Sequence, residues 1–116
     1  MKLLPLLPVE QTLLMNIVQK EYIYERINWM VGKGEKPQYM EMLDDLEKAL
    51  TSDVSPNVEF VTIKGKYTKA LKFPNSYIAI LLFLVGELIN EFEEDEEMPK
   101  FLTVLYAKLE YHLQDC

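Results

Sequence analysis

The chain has 116 residues, the length of one domain (1–116) rather than two, and 49% of them are apolar, enough for a core without disulfide or metal staples. Nineteen acidic residues against twelve basic ones leave a formal charge of −7, which repels phosphates at long range and disfavours nucleic acid as a partner. The one cysteine, Cys116, has Asp115 beside it, so no disulfide forms within the chain, no electropositive niche activates the thiol, and a reducing, cytoplasmic compartment is expected.

The first residues read MKLLPLLPVEQ. Lys2 followed by leucines suggests a secretory leader, but Pro5 and Pro8 interrupt the run, Glu10 ends it, and no small-residue cleavage site follows; the expectation is no leader. Pro8 to Val31 then reads as the longest helix. One apolar stripe runs through Leu13, Ile17, Tyr24, Ile27 and Val31, with Leu14 beside it; a second, Met15, Val18, Tyr22 and Trp29, is read as lying on the opposite side. A surface helix needs only one such stripe. Two mean either a helix contacted on two sides within a bundle or a stripe that meets a partner. Aromatic residues are enriched at interfaces, which makes Met15, Val18, Tyr22 and Trp29 the candidate interface with another protein or with a second copy of this chain.

Gly32-Lys33-Gly34 breaks that helix and lacks the spacing of a phosphate loop. A second helix is predicted from Pro37 to about Leu50, with Tyr39, Met42, Leu43, Leu46 and Leu50 inward and Asp44, Asp45, Glu47 and Lys48 largely toward water. Thr51 to Asn57 is a linker within the domain. Val58 to Phe73, rich in β-branched and aromatic residues, reads as a hairpin centred on Lys64-Gly65, a weaker turn signal than Asn-Gly. Lys64, Lys66, Lys69 and Lys72 fall in this hairpin. They either protect exposed strand edges from aggregation or, with Tyr67 as a stacking surface, form a basic contact for an acidic protein. Lys69 falls on the apolar side of the return strand and breaks its alternation.

Ser76 to about Phe92 begins as oil and ends as acid. Nine apolar or aromatic residues, Tyr77 to Val85, are too few for the roughly 20 of a membrane span. The steps Leu81, Leu84, Val85, Leu88, Ile89 and Phe92 predict a helix, buried all round in its first half and on one side in its second. Glu91, Glu93, Glu94, Asp95, Glu96 and Glu97 follow, and Pro99 is suited to the first position of the next helix. This acidic run is either a solvated corner or a docking surface for a basic partner. The last predicted helix is Pro99 to Leu113, with Phe101, Leu102, Leu105, Leu109 and Leu113 inward; His112, the one histidine, is expected to be partly exposed and without a role.

No dinucleotide fingerprint, nucleophile elbow, Cys-x-x-Cys or Glu-x-x-His pattern is present. Glu41/Asp44, Asp44/Glu47 and Glu91/Glu94 loosely resemble the magnesium-holding pairs of small all-helical nucleotide pyrophosphohydrolases, a spacing common by chance in so acidic a chain. The fold expected is α+β and mainly helical: a four-helix assembly with a β-hairpin inserted between helices 2 and 3. The function expected is a non-catalytic, acidic, cytoplasmic protein-binding module (adaptor, inhibitor or regulatory protein, as a homodimer or with another protein). The alternatives are the magnesium-dependent pyrophosphohydrolase and an acidic DNA mimic. No cofactor, membrane or small molecule is implied.

Overall fold

A proline at the first helical position starts the longest element, and its missing N–H is one the helix would leave unpaired anyway. In the computed structural model, which describes residues 2–92 and 97–114, this helix, α1, spans Pro8–Gly32. The preceding Leu7 has no side-chain oxygen to cap it; instead the Glu10 carboxylate reaches back and accepts the Leu7 N–H at 2.8 Å. The same buried carboxylate accepts the Lys108 ammonium at 2.8 Å, tying the start of α1 to the last helix. α1 ends at Lys33, whose φ of +52° places it in the left-handed region that a flanking glycine would occupy more easily.

α2, Gln38–Thr51, buries Met40, Leu43, Leu46, Ala49 and Leu50. Gln19 of α1 donates to Glu47 at 3.3 Å, while Tyr39 shares a groove with Glu21 and Glu25, so the two helices run antiparallel. The acids of α2 are less open than expected. Glu47 holds Gln19, and Asp45 accepts the hydroxyl of Tyr77 at 3.0 Å.

The predicted hairpin is present as β2, Val58–Ile63, and β3, Lys66–Leu71. They are antiparallel in the register Val58↔Leu71 to Ile63↔Lys66. Lys64 and Gly65 both carry positive φ, +52° and +76°, the backbone of the primed two-residue turn whose twist matches the strands. A third strand was not expected: Leu4–Pro5, β1, pairs with β3 on its other side, giving the order β1-β3-β2. Pro5 has no N–H to offer and is tolerated because its strand is an edge. Of the leucines that suggested a leader, Leu4 and Leu6 are buried in the core, whereas Leu7 is exposed.

α3, Asn75–Asn90, buries Ile78, Leu81, Leu84 and Val85. Its first half is not buried all round: Ala79 and Phe83 are exposed on one side. α4, Lys100–Gln114, packs Leu102, Leu105 and Leu109 inward. Tyr106 lies over Gly86 of α3, where an added Cβ would come 3.2 Å from the ring, so the glycine that interrupts the apolar run admits this close approach. His112 is buried, contrary to the sequence expectation, because it stands three residues after Leu109 on the same inward face. The elements meet in one core cluster that includes Leu14, Val18, Leu43, Leu46, Leu71, Ile78, Leu81, Leu105 and Leu109. Among the described residues, four helices and one three-stranded sheet make an α+β domain that is mainly helical, with the hairpin between α2 and α3. No described helix is long and apolar enough to cross a membrane.

Candidate functional site

The stripe singled out on α1 faces inward rather than out. Val18 is fully buried in the core, Met15 and Tyr22 pack against it, and Trp29 is half-buried with its indole N–H donating to the Gly34 carbonyl at 2.8 Å. Leu14, Val18 and Tyr22 succeed one another at four-residue steps and define the seam toward the bundle. Ile27 stands nine residues beyond Val18, about half a turn round the helix. Beyond Val18, the open apolar residues of α1 are therefore Ile23, Tyr24, Ile27, Met30 and Val31, three of them from the other stripe.

The hairpin lysines separate into two kinds. Lys69 is buried, and its ammonium donates to the carbonyls of Leu50 at 3.3 Å and Ser52 at 3.1 Å and to the Asp53 carboxylate at 3.3 Å. These carbonyls close the C-terminus of α2, where the last peptide oxygens have no helical partner and the helix dipole favours a cation. Lys69 is a structural cap with no charge left for a contact surface. Lys64 and Lys66 remain exposed at the tip, and Lys72 is half-buried. Tyr67 is 77% exposed, with one ring face stacked on Phe60 at 4.9 Å.

Of the acidic run, Glu91 and Glu97 are exposed, while Glu93, Glu94, Asp95 and Glu96 lie outside the described residues, as does Cys116. The other carboxylate pairs are occupied: Asp44 bridges Lys48 at 2.9 Å and Glu47 holds Gln19. Among the described residues, no group of three or more His, Cys, Asp or Glu side chains is placed to hold a metal ion.

A groove of about 770 Å³ lies between α1 and α3, with Tyr39 of α2 at one wall. Ile17, Ile80, Leu84 and Leu88 give it an apolar floor. Tyr24 and Phe83, one from each flanking helix, are 61% and 59% exposed. Among the described residues, its charges are Glu21 and Glu25 on α1, Glu87 on α3, Glu91 at the end of α3, and the single cation Lys20. Both glutamate pairs have the four-residue spacing that aligns side chains along one helix face.

These carboxylates act on one another. Partial burial and the charges of Glu25 and Glu87 hold the Glu21 carboxyl above its ordinary range, against the smaller opposing pull of Lys20. Burial and the charges of Glu21, Glu25 and Glu87 push the Tyr39 hydroxyl up to about 12. The groove therefore combines a greasy floor, two open aromatic rings and a net negative rim. Sequence reasoning placed Phe83 in the core and Tyr24 in a stripe of α1 other than the one singled out as an interface. The signal that separates them is the flanking acids, since Glu21 and Glu25 bracket Tyr24 while Glu87 follows Phe83 by four.

No family model matches this chain, and no curated protein or solved structure matches it.

Proposed function

We propose that this chain is a non-catalytic protein-binding module of the cytoplasm, an adaptor or regulatory protein that docks a protein partner in the groove between α1 and α3. The observation that carries this reading is the exposure of Tyr24 and Phe83 over an apolar floor. Contiguous open apolar surface costs solubility and marks interaction sites more often than isolated exposed side chains do. The lone cysteine supports a reducing compartment.

The experiment places the photo-crosslinking residue p-benzoylphenylalanine at Phe83, and separately at Tyr24, in cells of the source organism. A discrete protein adduct formed from both positions, and absent from the same probe at the exposed Thr62 of β2, is the expected result. Folded protein that gives no adduct from either groove position would remove the reading.

A further inference from the structure

Among the described residues, those lining the groove belong to α1, α2 or α3 or, as Glu91 does, close α3, and none belongs to a strand. An extended segment laid there would find no backbone partners for its own N–H and C=O groups, whereas a helix satisfies them internally. The α3 wall runs from Ala79 to Glu91, a rise of about 18 Å at 1.5 Å per residue, which is the length of about three helical turns. Such a segment offers anchors at four- and three-residue steps to the row formed by Ile80, Leu84 and Leu88. The rim sets the charge of the occupant. Four carboxylates face one ammonium in the groove, and the whole chain carries −7.

Resting on the protein-binding reading above, we propose that the occupant is a basic amphipathic helix of another protein, its apolar stripe on Tyr24, Phe83 and the floor and its Lys or Arg residues paired with Glu21, Glu25, Glu87 and Glu91. Cations brought to this rim relieve repulsion that the free protein carries, and the net negative charge steers them in from a distance. A second copy of this chain would bring −7 of its own and adds repulsion instead. The acidic rim thus selects what the apolar floor would otherwise accept indiscriminately.

The test uses two fluorescent helical peptides with the same Leu/Phe stripe, one with Lys and Arg on its polar face and one with Glu. Each is titrated by anisotropy into the whole protein, into the Phe83→Ser variant and into a Glu21→Gln/Glu25→Gln/Glu87→Gln variant, with far-UV circular dichroism confirming that both variants are folded. The cationic peptide is expected to bind at least about tenfold more tightly than the acidic one. The triple variant loses most of that preference, Phe83→Ser weakens the binding itself, and added salt weakens it more in the parent than in the triple variant. Equal binding of the two peptides, or cationic binding indifferent to Phe83→Ser, overturns the proposal. The crosslinks separate this failure from that of the parent reading. An adduct with a second copy of the chain, or with a neutral or acidic segment, overturns the basic helix and leaves protein binding standing, whereas no adduct removes both.

Discussion

The two halves of α1 are written in much the same alphabet and have opposite fates. In the first, Glu10, Leu14 and Val18 are sealed against the other elements. In the second, Ile27 is 57% and Val31 78% exposed. The difference lies first in the face, since Ile27 and Val31 stand on the side of α1 opposite Val18, and then in the neighbours. α1 is 25 residues long, whereas α2 and α3 have 14 and 16, so at 1.5 Å per residue it outruns them by more than 10 Å. α2 begins beside the middle of α1, where Tyr39 meets Glu21 and Glu25, and the turns beyond have less to pack against. Apolar periodicity thus reports that a segment is helical; whether a given apolar residue is covered depends on how far its partners reach.

Substitutions along α1 can break or sharpen this contrast. The largest effect is expected from Leu14→Ala, which opens a cavity in the sealed half and should cost about 3 kcal/mol in urea denaturation. The comparable truncation Ile27→Ala should stay within about 0.5 kcal/mol; equal losses at the two sites would show that the far half is packed as well. Next comes Glu10→Ala, which leaves the Leu7 N–H and the Lys108 ammonium without their shared acceptor. Because Lys108 is partly exposed, the loss expected is about 2 kcal/mol, below that of a fully buried pair.

At the open end Lys33→Gly should raise stability by up to about 1 kcal/mol, since glycine adopts the left-handed conformation there without a Cβ penalty. The smallest effect is that of Glu21→Gln, a gain of about 0.5 kcal/mol near neutral pH. Its sign follows from the raised carboxyl. The folded state holds that proton more tightly than the unfolded chain, so stability falls as pH rises from the ordinary value of 4.5 through the higher folded one. The gain of the variant should accordingly vanish in melts below about pH 4.

The kinds and order of the helices and the hairpin were legible in the sequence because they rest on local signals: Pro8, Pro37 and Pro99 at helix starts, glycines at the break after α1, and β-branched residues around Lys64-Gly65. What escaped depends on residues distant in the chain. β1 is two residues long and contains a proline; only the open edge of β3 makes it a strand. Lys69 broke the alternation of β3, and that irregularity was meaningful, since the free carbonyls that hold its ammonium belong to α2, over 15 residues away. His112 was read by residue type, while its place on the face of Leu109 decides its burial. Phe83 was read as core because it falls in an unbroken apolar run, and Tyr24 was passed over for the other stripe of α1; only the gap between two helices leaves both open. The parts of the candidate groove were therefore visible singly, and their assembly was not.

The measurement closest to the central claim is a two-dimensional ¹⁵N NMR titration of the protein with the lysine-faced helical peptide. Shift changes are predicted for the groove segments of α1 and α3, from Ile17 to Glu25 and from Ile80 to Glu91, with the hairpin tip around Lys64 to Tyr67 unmoved. Changes centred on any other face, or a spectrum left unchanged at saturating peptide, would contradict the assignment of the groove as the docking site.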